Sequence, residues 1–263
     1  MSKEEQKVIR QMKQDLRSLQ QALCHSFQSD IKSGAFQKII NDLNKNQKLN
    51  YSSTPLEIKF NTENIPKHFP QKIIKNLKIL FSIKVKGNVD DLLANKDPFS
   101  SLEFNIYAIG KCSEDKELRY ALHFDRHNDE GNPSKETHPM YHFQFGGRKL
   151  KDENINIDIG QTIFFDTPRI MHHPMEFILG IDFLLSNFFP KEWNKLSKKD
   201  NNYSKIIKRY QKYFVLPYYK SIVNYFDNTV SKPAPWNAQE IYPQLVEEMD
   251  DPKQIGRKRD SPE

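Results

Sequence analysis

Glycine is scarce in this chain, at nine of 263 residues. Neither G-x-x-x-x-G-K-[ST] nor G-x-G-x-x-G occurs, so the nucleotide folds that cradle phosphate in a glycine-rich loop are not signalled. Cysteine is scarcer still: Cys24 and Cys112 are the two present, without C-x-x-C spacing. That argues against a disulfide framework and against a thiolate zinc site. There is no H-E-x-x-H helix pattern and no internal repeat. No apolar run approaches the roughly 18 residues a membrane span needs, and the opening "MSKEEQKVIRQMKQDL" has no apolar signal core. The sequence therefore predicts a cytoplasmic chain with no membrane partner.

Charge is abundant: 40 Lys or Arg stand against 34 Asp or Glu, a formal net charge of +6. This permits nucleic-acid or acidic protein partners without requiring them. The excess is local, since Lys191 to Lys220 holds nine basic residues against Glu192 and Asp200. Lys205, Lys208, Arg209 and Lys212, interleaved with Tyr210 and Tyr213, are candidates to track a nucleic-acid backbone. The alternative is a solvated helix face whose tyrosines enter the core.

The hydrophobic pattern divides the chain into four segments. In residues 1–48, Val8, Met12, Leu16, Leu19 and Leu23 recur at three- and four-residue intervals. Ala35, Ile39, Ile40 and Leu43 resume the pattern after Gly34, which predicts one or two amphipathic helices. Within 49–190 the period changes to two: Leu56-Ile58-Phe60, Ile79-Phe81-Ile83-Val85, Leu102-Phe104-Ile106-Ala108, Leu118-Tyr120-Leu122-Phe124 and Tyr141-Phe143-Phe145 alternate with polar residues. Such runs make a mainly antiparallel sheet with one apolar and one polar face. "MEFILGIDFLLSNFF", 175–189, is apolar almost all round, as expected of a helix sunk against that sheet, with Pro174 in its first turn. Residues 191–250 read as basic helices, interrupted at Pro217, and 251–263 as a disordered tail. The expected fold is α+β: a five- to seven-stranded meander covered on one face by helices.

Four of the eight histidines fall within residues 120–147, "YALHFDRHNDEGNPSKETHPMYHFQFGG". The turn formers in "NDEGNPSKET" predict a hairpin between strands 118–127 and 138–145. Placing His127 opposite His138 sets His123 opposite His142, with Asp125 opposite Met140. Directly opposed Cβ atoms lie about 4.5–5.5 Å apart, close enough for two imidazoles to share one ligand. Along one extended strand His138 and His142 stand about 13 Å apart, unless the His138-Pro139 step bends the chain. A shift of zero or two residues preserves the apolar alternation, whereas a shift of one does not.

These residues suit acid–base chemistry on a phosphodiester, because imidazole titrates near neutral pH. On this basis His142 and His123 form an acid–base pair, Asp125 orients an imidazole, and His138 is an auxiliary acid. Arg169 steadies transition-state charge. Gln144 shares the polar face, and His172 and His173 precede the apolar helix, where backbone N–H groups favour an anion. No cofactor is expected; a divalent metal is possible, and its ligands would be His123, Asp125 and His142 with water. The competing view is a polar sheet face with incidental histidines.

Several of these elements resemble one family. His123-Phe124-x-Arg126, His138-Pro139-x-x-His142, Pro168-Arg169-Ile170, Pro174 and "FILGIDFLLSNFF" are similar to an uncharacterised prokaryotic domain family, over roughly residues 118–189. That family has a strand carrying a basic and acidic pair, an H-P-x-x-H strand, an R-I turn and a closing helix rich in Phe and Ile. Its members sit near mobile elements, toxin–antitoxin pairs and phage-defence genes, and the first half of the motif also resembles small toxins proposed to act on RNA. The family places an acid where this chain has His127. The resemblance implies a bacterial defence or toxin setting and raises the expectation of a nuclease. The alternative is a non-catalytic accessory subunit, docking on an operon partner through the N-terminal helix and the basic C-terminal helices.

Overall fold

In the computed structural model, which describes residues 2–27, 34–46, 48–60, 74, 76–111, 117–126, 138–146, 169–227 and 236–245, the chain is an α+β protein. The amphipathic N-terminal pattern becomes α1 (Lys3–Phe27) and α2 (Gly34–Asn46). Val8, Ile9, Met12, Leu16, Leu19 and Leu23 are all buried on one face of α1, so this face belongs to the protein's own core. Glu4 and Glu5 occupy the first turn, where the helix dipole favours negative charge.

The alternating segments form β1 (Tyr51–Ser52), β2 (Leu56–Phe60), β3 (Asn76–Gly87), β4 (Phe99–Lys111), β5 (Glu117–Arg126), β6 (Tyr141–Phe145) and β7 (Ile170–Met171). A short helix, α3 (Val89–Leu93), is capped by Asn88 and lies between β3 and β4. The seven strands make one sheet, in the order β1-β3-β4-β5-β6-β7, with β2 also on β3. Every pair is antiparallel. From β3 onward each strand neighbours the next in sequence, as expected of a meander.

Residues Phe81, Phe104, Phe124 and Phe143 point to one side, where α4 (Phe177–Phe188) lies across them. Gly180 makes this close crossing possible, since a Cβ there would come within 2.8 Å of Phe104 and 2.9 Å of Phe81. Helix α4 starts later than Pro174 suggests: Glu176 is its N-cap, with Oε1 accepting from the backbone N–H of Ile178 and Leu179. The helical layer continues as α5 (Pro190–Lys199), α6 (Asn201–Tyr210), α7 (Leu216–Phe226) and α8 (Ala238–Ile241). Pro217 does not break the path. Proline has no N–H to give to an earlier carbonyl, and the turn ahead of it widens into a π-helix, Gln211–Val215, with Leu216 N–H donating to Gln211 O. Among the described residues no helix is long and apolar enough to cross a membrane. The segment 251–263, expected as a tail, lies outside the described residues.

Candidate active site

The polar side of the sheet, turned away from α4, carries the histidines. Cross-strand register aligns them in two rows. Lys84, Glu103, Asp125, His142 and Met171 follow one another across β3, β4, β5, β6 and β7. Ser82, Asn105, His123 and Gln144 form the adjacent row. The partner of His142 is thus Asp125, and that of His123 is Gln144. This corrects the expected His123–His142 opposition by a shift of two residues, which leaves every side chain on the same face. The partner proposed for His138, His127, lies outside the described residues, as does the loop 128–137.

The His138-Pro139 step ends the strand. β6 starts only at Tyr141, and the chain turns so that Pro139 O accepts from His142 Nδ1 at 3.1 Å. His138 therefore folds back over its neighbour instead of standing 13 Å away. The two rings lie 4.6 Å apart, with Nε2 to Nε2 at 3.4 Å. A carbonyl can only accept, so His142 carries its proton on Nδ1, and its Nε2 lone pair accepts the Nε2–H of His138. His142 is 3% exposed, whereas His138 is half-buried. A second pair sits one strand over, where His123 Nε2 donates to Asp125 Oδ2. His123 Nδ1 and Asp125 Oδ1, the atoms on the far sides of that contact, are both buried. Tyr107 on β4 shares this face; burial raises its phenol pKa, and the charge of Asp125 raises it further. Among the described residues no three His, Cys, Asp or Glu side chains are grouped so as to hold a metal ion.

A buried network supports this pair of strands from the other face. Arg126 and Tyr141, which follow Asp125 and precede His142, are register partners. Both bind Asp97: Arg126 Nε donates to Oδ2 at 2.9 Å and Tyr141 OH to Oδ1 at 2.5 Å. Burial raises the Asp97 pKa, opposed by the Arg126 charge. A cavity of about 770 Å³ opens at this end of the sheet, lined by Lys86, Asp97 and Arg126 among others.

Other candidate residues are placed elsewhere. Arg169 directly precedes β7 and is half-buried next to the histidine-bearing strand. His172 packs among Phe124, Phe143 and Phe183, on the helix-covered side. His173 stacks on His172 and faces Tyr219. Burial lowers both pKa values, that of His173 to about 3 with help from His172, so neither offers a cation to phosphate at neutral pH. Lys205, Lys208, Arg209 and Lys212 lie on α6 and the π-helix, in the helical layer and across the sheet from the histidines. Arg209 is engaged by the buried Asp15, with Nη1 at 2.6 and 2.5 Å from its two oxygens. The sequence reading left three functional neighbours without a role. Asn105 and Tyr107 could have been found by extending the alternation of β4 across the hairpin, but Asp97 has no local signal. Comparison of the chain with family models, with curated proteins and with solved structures finds no match.

Proposed function

We propose that the protein is a nuclease of a bacterial defence or toxin system, cleaving phosphodiesters with paired imidazoles. The observation that carries this reading is the 3.4 Å approach of His138 and His142 on the same sheet face as the His123–Asp125 pair. His123, oriented by Asp125, takes a proton from the nucleophile. His138 gives one to the leaving group from Nε2, the nitrogen that donates to His142 until substrate displaces that contact. His142 is the positioning member of the pair, because it is buried and acts through His138. Gln144, in the row of His123, and Arg169, which precedes β7, are the residues assigned to holding phosphate oxygens. Replacing His138 by Ala should lower the cleavage rate by about 10²- to 10⁴-fold. His142→Asn keeps a donor for Pro139 O while removing the acceptor from His138, and should lose cleavage with the fold retained by circular dichroism. Unchanged rates in both variants would refute the assignment.

An accessory role in a defence complex is the second reading, and one surface favours it. Leu216, Tyr219, Val223 and Phe226 recur at three- and four-residue spacing along α7 and are 47–70% exposed. The apolar face of α1, by contrast, is covered by the protein itself. This reading predicts no cleavage of any polymer, and association with an operon neighbour's product that is lost on Phe226→Glu.

A further inference from the structure

The cavity of about 770 Å³ at the end of the sheet has the volume of a small-molecule site. We infer that it binds a small zwitterion with a carboxylate at one end and a guanidinium at the other, the chemistry of free arginine. This stands apart from the nuclease reading, since none of His123, His138 and His142 lines the cavity. Charges of both signs line it, and each sign comes from a different part of the fold. The end of the sheet supplies Lys86, at the close of β3, and Lys48, which lies ahead of β1. The two are held on one side by Asn50, whose Oδ1 accepts from the Gly87 N–H at 3.1 Å. The helices supply Glu5, in the first turn of α1, and Asp90 and Asp91, in the first turn of α3, which packs on α1.

Arg126 and Asp97 also line the wall, but they are paired with one another and their charges cancel. Two lysines then stand against three carboxylates. The N-terminus of α1 offsets about half a charge, so the helix ends alone do not account for the acidic side. Both lysines are exposed, and neither is in an ion pair with these carboxylates. Opposite charges that share a cavity without pairing, with a small negative excess, suit a ligand that brings both signs and a small positive excess. Arginine does so, with one carboxylate and two cationic groups. Lys86 and Asp91 are five positions apart, so their Cα atoms are separated by at most about 17 Å, which a lysine side chain and one such ligand can bridge. The acidic side favours a guanidinium over an ammonium. Glu5 and Asp90 come from separate helices, and the charge of Glu5 acts on Asp90. A planar guanidinium with five N–H donors can bind both and relieve that repulsion, whereas an ammonium is more strongly hydrated.

The test is calorimetric titration of the full chain with three ligands. L-Arginine carries both ends, L-citrulline keeps the shape but lacks the guanidinium charge, and L-argininamide lacks the carboxylate. The expected result is one arginine bound per chain, with citrulline and argininamide about ten- to a hundredfold weaker. Lys86→Met should weaken arginine about tenfold and leave argininamide unchanged, because the carboxylate that Lys86 meets is already missing there. Asp90→Asn should weaken arginine and argininamide alike. Lys86 and Asp90 are both exposed, so thermal melting should stay at the wild-type temperature in each variant. No arginine binding at millimolar concentration, equal binding of the three ligands, or wild-type affinity in both variants would overturn the inference and leave the nuclease reading untouched.

Discussion

Asp97→Asn is the perturbation that most directly probes how the site is supported. Asp97 is the shared acceptor for Arg126 and Tyr141, and those two residues flank Asp125 and His142 on paired strands. The substitution is nearly isosteric and removes the charge. Tyr141 OH can still donate to the remaining amide oxygen, whereas Arg126 loses its carboxylate and can meet an NH₂ that it cannot accept from. Removing one partner of a fully buried ion pair costs about 3–5 kcal/mol. The side chains here are 13% and 21% exposed, so water relieves part of that penalty and the expected loss is about 2–3 kcal/mol. Equilibrium urea denaturation reads this as a lower midpoint at unchanged slope. Combining the change with Arg126→Gln should recover part of the loss, because the stranded cation is gone, and the double-mutant cycle isolates the pair. A loss below about 0.5 kcal/mol, or strictly additive effects in the cycle, would show that the network does not hold the strand ends together.

Two further outcomes follow from buried titratable groups. Glu176 has its pKa raised to about 7, chiefly by burial, from an ordinary 4.5. Its contribution to stability is therefore complete below about pH 4.5 and is lost as pH rises through 7, a change of about 3 kcal/mol. His172 and His173 act oppositely: with folded pKa values lowered by burial, their contribution is present above pH 6.5 and is lost as pH falls below it, for His173 toward about 3. Thermal melts should thus decline on both sides of a mildly acidic optimum. Glu176→Gln should flatten the alkaline limb, and an unchanged alkaline limb would contradict the assignment. Arg209→Ala should destabilise the fold by about 2 kcal/mol, since it strands the buried Asp15, and should leave nucleic-acid affinity and its salt dependence unaltered. A reduced salt slope with normal stability would return Arg209 to the substrate track.

How far the sequence could be read depended on the distance over which each feature is encoded. Strands and their faces were legible, because alternation at i and i+2 is local; burial follows it along β2, β3 and β4, whereas in β5 and β6 Tyr120 and Phe145 are exposed and Ala121 and His142 are buried. The same periodicity is blind to a shift of two residues, which is why it identified the polar face but misplaced His123 against His142. The buried face of α4 was equally readable. What its neighbours do was not, because Arg209 meets Asp15 across 194 residues and Tyr141 meets Asp97 across 44.

Pro139 was the one local sign that bore on the chemistry. A proline without an N–H does not continue a ladder, so the strand had to begin after it, and His138 had to leave the extended path. Once the chain turns there, the carbonyl of Pro139 itself falls within reach of His142 and fixes its tautomer. The H-P-x-x-H spacing is therefore a geometric device: proline turns the chain, and four residues bring the second ring under the first. Any substitution that lets residue 139 extend the strand, such as Pro139→Val, should separate the rings. It should remove His138 as an acid as fully as His138→Ala does, even though both imidazoles are still present.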